Sequence, residues 1–467
     1  VIAAPATGLD ALFARAAALE ERGALDAALC AYLDLLVRER DHLGAMLGAG
    51  RLFAAQHMPQ AARAVFAEAA SRDPCCATAF AGLGKASLEL GDLATARRSF
   101  ETAVVAAPQD RDAQLGLAIV LERAGDRTAA AAVWRRAFPD GQLATARYRG
   151  AGTPIRAVVI CSALGGNAAF DRLLDAQTFE VSTLFAEGYR GRVPLPAGAV
   201  LVNAVADADL CGEALAVAGH VAAASGAVAV NRPERVRATG RVANAARLAA
   251  LDDVVTPRTA AFSRDVLTGP GGLAALEAAG FAWPLLVRST GFHNGEHFSM
   301  VRAPGRLSRT AASLPGDTLL AIEFVDVRCR AGLVRKYRAM AIDGALFPIH
   351  LAISRDWNVH YHNAANEEQP AFRDEERAFL DDMDGVLGPR ASDALHRVAA
   401  TLGLDYAGID FALDADGDLV VFEANASMAI VPPKSDARWD YRRAAARRAA
   451  DAVRAMVVER GGFPREG

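Results

Sequence analysis

Lysine is almost missing from this chain: of its 51 lysines and arginines, only Lys85, Lys336 and Lys434 are lysine. Arginine carries the rest, a bias that together with abundant alanine marks a GC-rich genome, and it makes any lysine that chemistry requires stand out. Basic residues never gather into a run, and a net charge of −4 supplies no electrostatic footprint for nucleic acid. No stretch approaches the ~18 to 20 uninterrupted apolar residues of a membrane helix. The first residues also lack a basic segment followed by a long apolar run, so the sequence reads as cytoplasmic, with no membrane contact. Metal-spaced cysteines are lacking too. Cys30, Cys75, Cys76, Cys161, Cys211 and Cys329 are scattered and are expected as reduced thiols in small apolar sites.

What is present begins with a repeat. A chain of 467 residues exceeds one ordinary domain, and two or three are expected. A period of 34 residues runs through four copies starting at Leu9, Leu43, Ala77 and Arg111. Small residues recur at Ala16, Gly50, Gly84 and Ala118 and again at Ala28, Ala62, Ala96 and Ala130. Four positions after the second set come Tyr32, Phe66, Phe100 and Trp134, and Pro74 and Pro108 close the middle copies. Small residues let paired helices approach while the aromatic fills the space between copies. The pattern resembles the tetratricopeptide repeat over residues 9–142. That resemblance implies an all-α solenoid whose free inner face binds a peptide or partner protein. Packing against the rest of the chain, or a homodimer, are alternatives of equal weight.

After a linker, residues 143–154, the character changes. RAVVICSAL, FEVSTLFAEG, AGAVLVNAVAD and SGAVAVNRP are short β-branched runs, which predicts a small parallel sheet with crossover helices over 155–235. SALGGN follows the first run without a full dinucleotide fingerprint, and a tight strand-to-helix turn is the favoured reading. Further on, the strand LLVRS leads into Gly291, Asn294 and Gly295, a loop whose backbone N–H groups suit phosphate oxygens. Near the C-terminus, IDFALD and LVVFEANA flank the turn DADGD, whose Asp and Gly residues tolerate a hairpin loop. The hairpin brings Asp410, Glu423 and Asn425 together, three hard oxygen donors suited to Mg²⁺. Solvation explains the acids of the turn well and Glu423 badly, because it follows an apolar run.

In order, these segments resemble the ATP-grasp ligases, a group that includes D-alanine–D-alanine ligase, glutathione synthetase and ribosomal-protein glutamate ligase. The separations of 13 and 2 between Asp410, Glu423 and Asn425 match the family's metal set. The resemblance implies a solenoid followed by an α/β lead-in domain (155–235) and an α+β ATP-grasp domain (236–460). It also implies ATP with two Mg²⁺ ions, Mn²⁺ being a substitute. Arg241 and Arg288 stand where the family has two phosphate-binding lysines, which keeps charge and changes geometry. Glu323, Phe324 and Val325 match the hinge that holds adenine, and Asp326 is placed to serve the ribose. Lys336 and Arg338 lie on the basic strand that stabilises the transferred phosphate, and alternation puts them on one face. NASM departs from the proline and glycine that often follow the family's Asn.

The implied chemistry joins a small-molecule or peptide carboxylate to an amine through an acyl phosphate, releasing ADP and phosphate, with Arg338, Lys336 and Arg288 as catalytic cations. The repeats would recruit the substrate or a partner. A phosphotransferase and a nucleotide-sensing scaffold are the rival classes. His350, His360 and His362 are assigned to core or hydrogen-bonding roles, with a substrate-anion contact as the functional alternative. His293 and His297 read as solvated loop residues.

Overall fold

The computed structural model describes residues 8–462 except 57, 138–142, 192, 293–294, 360–365, 367, 432 and 434–435. Asn294, His293, His360, His362 and Lys434 therefore lie outside the described residues. The chain divides into two compact units, Val1–Gln142 and Leu143–Gly467.

In the first unit α1 (Gly8–Glu21), α3 (Leu43–Ala55), α5 (Ala77–Glu89) and α7 (Arg111–Arg123) alternate with α2 (Leu25–Arg38), α4 (Pro59–Arg72), α6 (Leu93–Ala106) and α8 (Arg127–Ala137). The aromatic positions are buried, and their packing shows why small residues surround them. A Cβ at Gly50 would lie 2.7 Å from the Phe66 ring, and one at Gly82, in the next repeat, 2.5 Å from the same ring. The Phe66 and Phe100 rings thus each fill space that two glycines vacate, Gly84 and Gly116 serving Phe100. Asp92 and Asp110 cap α6 and α7 through their side-chain oxygens. Gly23, Gly91 and Gly125 turn the chain between paired helices at positive φ.

The second unit contains three sheets. β1 (Leu143–Thr145), β2 (Ile155–Cys161), β3 (Phe179–Phe185), β4 (Val200–Asn203) and, after α9 (Gly212–Ser225), β5 (Ala229–Val230) form the first, in the order β1-β3-β2-β4-β5. All pairs are parallel except β1 with β3. Next come α10 (Pro233–Arg237), α11 (Arg241–Leu248), β6 (Val254–Val255), β7 (Thr259–Ser263), α12 (Arg264–Thr268) and α13 (Gly272–Ala278). β8 (Leu285–Ser289), β9 (Phe298–Val301), α14 (Leu307–Ser313) and β10 (Thr318–Glu323) complete the antiparallel second sheet, β7-β10-β8-β9. The third is β12-β11-β13-β14-β6, built from β11 (Val334–Ile342), β12 (Ala345–Ser354), β13 (Tyr406–Leu413), β14 (Leu419–Asn425) and the parallel edge strand β6. Between β12 and β13 run α15 (Pro370–Asp381) and α16 (Met383–Leu402), the latter broken at Gly388 before Pro389; α17 (Asp440–Arg460) closes the unit.

Several expectations change here. The linker 143–154 contains β1, whose Thr145 hydroxyl meets that of Ser182 at 2.8 Å, so the second unit starts earlier than the apolar pattern indicates. Only α9 is a full crossover helix in the first sheet; a single 3₁₀ turn lies between β2 and β3 and another between β3 and β4. The first and third sheets share one core, and Phe170 meets Tyr406 at 5.1 Å between ring centres. The cysteines are all free, but Cys30, Cys75 and Cys329 are exposed rather than in small apolar sites. Among the described residues, no helix is long and apolar enough to cross a membrane.

Candidate functional site

Alternation along β11 separates two faces. Tyr337 stacks on Phe411 at 5.3 Å and meets Phe379 of α15 at 4.9 Å between ring centres, packing that face into the core. Lys336 and Arg338 point the other way. In register, His350 of β12 stands opposite Arg338 of β11, which stands opposite Asp410 of β13, which stands opposite Glu423 of β14. Opposed residues share a face, so the fold draws one charged row across four strands. Beyond Asp410 the pairing shifts register, leaving Phe422 without a partner and partly exposed.

The row faces a cavity of about 440 Å³ between the second and third sheets. Arg288 and Phe298 line it from the second sheet, and Glu323, Phe324, Val325 and Asp326 from the segment that ends β10. Gly295 lines it too, at positive φ, whereas Gly291 of the same loop does not. Trp357 adds an aromatic wall, its ring 5.5 Å from that of Phe298.

Among the described residues, the cations that line the cavity are each paired with a carboxylate, with one exception. Asp410, 1% exposed, accepts from Arg338 Nε at 2.6 Å and Nη2 at 2.9 Å and pairs with Lys336 Nζ at 2.7 Å. Burial pushes its pKa up, but the two cations outweigh that and hold the carboxyl far below the usual range. Glu423 accepts from Arg241 Nη2 at 3.0 Å. Its pKa is likewise lowered, Arg241 and Arg288 outweighing burial. His350 is held neutral by burial, with Arg338 adding to the effect. Arg288 is the exception. Its guanidinium is buried and donates to the Phe292 carbonyl, it lies 5.5 Å from the Phe298 ring centre, and among the described residues its Nε has no hydrogen-bond partner. Burial lowers its pKa, Arg241 adding to this, and among the described residues no carboxylate forms an ion pair with it.

The hairpin carries the three donors, and one of them is turned differently from expectation. Asn425 stands opposite Gly408 and lines a smaller neighbouring cavity of about 60 Å³ together with Arg241, Arg288 and Glu423. Its Oδ1 accepts from the Ser427 N–H at 2.9 Å and hydroxyl at 2.8 Å, so its NH₂ group donates to Glu423 at 2.9 Å. Three oxygens therefore do not meet at one point, because Ser427 claims the amide oxygen. Among the described residues, no three His, Cys, Asp or Glu side chains could hold a metal by themselves. Two carboxylates on adjoining strands still suit Mg²⁺, which takes one or two carboxylates and completes its shell with phosphate and water.

Other expected residues sit near the cavity but are engaged elsewhere. The Glu323 carboxylate accepts from the Arg258 N–H at 3.1 Å, and Asp326 is clasped by Arg328. Arg241 opens α11, held at its backbone N–H by Asp209 at 3.1 Å as well as by Glu423. Asp209 was not singled out by sequence, yet NAVADADL places it just past β4, at the carboxyl end of a parallel strand where such sheets bind ligands. Arg442 gave no sequence signal. It is buried, stacks on Trp439 at 4.0 Å, pairs with Glu376 and lines the cavity.

In the first unit, the tetratricopeptide-repeat family model matches residues 47–110 and 82–142. The N-terminal helices are tetratricopeptide repeats. Among solved structures, a tetratricopeptide-repeat protein, YrrB, described as having an unusual peptide-binding site, is 21% identical over 27% of this chain and 65% of its own, with a TM-score of 0.26. MamA from Desulfovibrio magneticus RS-1 is 20% identical over 28% of this chain and 73% of its own, TM-score 0.27. A thermophilic tetratricopeptide-repeat protein of Thermus thermophilus is 19% identical over 28% and 73%, TM-score 0.26. This chain thus spans just under two thirds of YrrB. No curated protein matches the chain.

Proposed function

We propose that the second unit is an ATP-dependent carboxylate–amine ligase of the ATP-grasp kind, and that the tetratricopeptide repeats recruit its peptide or protein partner. One observation carries this reading: Arg288, a buried guanidinium with no ion pair among the described residues, faces a cavity that also holds the Arg338, Asp410 and Glu423 row. A desolvated cation is costly unless an anion joins it, and a polyphosphate supplies that anion. Arg338 and Lys336 neutralise Asp410 for now, and each can turn to a phosphate oxygen instead. Asp410 and Glu423 would hold Mg²⁺, with Asn425 joining once its amide turns; the metal supplies charge neutralisation between the phosphates. The segment after β10 offers backbone groups to the base, and Trp357, Phe298 and Phe324 offer it an apolar wall.

In this reading the substrate carboxylate attacks the γ-phosphorus and displaces ADP. An amine then attacks the acyl carbon of the resulting acyl phosphate and expels phosphate, while Arg288 and Arg338 hold the transferred charge. For the repeats, support comes from the first helices of successive copies, α3 with α5 and α5 with α7, which approach one another and so line an inner face.

The test is phosphate release over a panel of acids and amines with ATP and Mg²⁺, alongside nucleotide binding. Glu423→Gln is expected to lower phosphate release by about 10³-fold with an unchanged circular dichroism spectrum. Arg288→Met is expected to weaken nucleotide binding by about tenfold or more. Normal turnover by Glu423→Gln would refute the assignment.

A further inference from the structure

Along β11 the cavity has two ends. Val334 packs with Val327 and Val359, beside the segment after β10. Further along the strand Met340 stands opposite Gly408, and Met428 covers Gly408 so closely that a Cβ there would collide with it. The far end is therefore the one lined by Met428, Ala429, Val431, Pro433 and Ala446, with Arg442.

Its polarity is one-sided. Arg338 and Arg442 bring positive charge, and His350, buried and acted on by both, stays neutral. Among the described residues that line the cavity, the carboxylates are Glu323, Asp326, Asp410 and Glu423. The first two belong to the other end, Asp410 is held by Lys336 and Arg338, and Glu423 by Arg241. Behind Arg442, the fully buried Glu376 already accepts from Arg442, Tyr441, Asn366 and the Leu351 N–H. Among the described residues, no carboxylate is left to receive an ammonium group. An ammonium buried beside two guanidinium groups is disfavoured by both desolvation and repulsion, whereas a carboxylate gains charge-assisted hydrogen bonds.

We infer that this end takes a carboxylic acid with an apolar body and no ammonium group: an aliphatic or N-acylated acid, the chemistry that a peptide C-terminus also presents, and not a free α-amino acid. As a substrate assignment it rests on the ligase reading; as a binding site it does not. The apolar body lies on Met428, Ala429, Val431 and Ala446, and the carboxylate lies toward Arg338 and Arg442.

Calorimetric titration of the full chain with 4-methylpentanoate, N-acetyl-leucine, leucine and leucinamide tests it, each with and without a non-hydrolysable ATP analogue and Mg²⁺. The first two are expected to bind about tenfold or more tightly than leucine, with no binding of leucinamide. Removing Arg442 would strand buried Glu376, so the informative variant is Val431→Asp, at a position 50% exposed. It is expected to weaken N-acetyl-leucine binding by about tenfold with an unchanged melting temperature. Leucine or leucinamide binding as tightly as N-acetyl-leucine, binding that ignores Val431→Asp, or no acid binding under either condition would overturn the inference. Acids that bind as described while the nucleotide analogue does not would refute the ligase reading and support this subsite.

Discussion

The two units fill their interiors with different chemistry. Among the described residues, the repeats bury alanine, leucine and valine with one aromatic per copy, and their buried polar side chains are Ser87, Ser99 and Gln114. The second unit buries Asp207, Arg288, His350, Glu376, Asp410 and Arg442. A buried ion pair adds little net stability against an apolar replacement, yet breaking one is costly. The repeats thus have an interior organised for shape. The second unit maintains an interior that stability alone does not require, and most of these charged groups line or border one cavity.

The largest expected effect breaks that contrast from the charged side. Glu376→Ala leaves Arg442 buried without its carboxylate, and is expected to destabilise the second unit by about 3–5 kcal/mol. Hydrogen exchange should show lost protection in α15, β12 and α17 while the amides of the repeats keep theirs. Equal loss in both units would mean that the two interiors are not separate.

Acid gives an intermediate effect. His350 faces Arg338, Lys336, Arg442 and Asp410, and its folded pKa lies well below 6.5. Unfolded chains therefore take up a proton below about pH 6.5 that the folded protein refuses. Stability is full above that pH and falls by about 1.4 kcal/mol for each unit below it, until the folded value is reached. Denaturant titrations of the second unit at stepped pH check this, and His350→Gln is expected to flatten the slope. The depressed pKa of Asp410 acts in a separate window, being lost only as pH falls below the ordinary carboxylate range. The repeats bury no imidazole among their described residues.

The smallest effect probes shape. Alanine is normally the better helix former by about 1 kcal/mol, but a Cβ at Gly82 would meet the Phe66 ring at 2.5 Å. Overpacking of about 1–3 kcal/mol should win, so Gly82→Ala is expected to lower the melting temperature by a few degrees, against propensity. A stabilised variant would show that the repeats are loosely packed.

The two interiors also differ in how far they were legible from sequence. The contacts that place Phe66 and Phe100 recur every 34 residues, and the same small and aromatic types recur with them. The hairpin was legible because its two strands and turn are contiguous. Asp209 holding Arg241, Arg442 pairing with Glu376, and β6 joining β14 were not, since each links segments 32, 66 and more than 100 residues apart with no local signal. Asn425 was read as an oxygen donor, and a neighbour two residues on decided which end of its amide faces Glu423.

Sequence by itself therefore determined the repeats, the strand pair that carries Asp410 and Glu423, and the face shared by Lys336 and Arg338, because each follows from a period of 34 or 2 along one stretch of chain. Tertiary structure alone decided which cations pair with which carboxylates. It also decided that, among the described residues, Arg288 is left without an ion pair and the far end of the cavity lacks any free acid. Charge interactions depend on distance and burial, and neither is a property of neighbours in sequence.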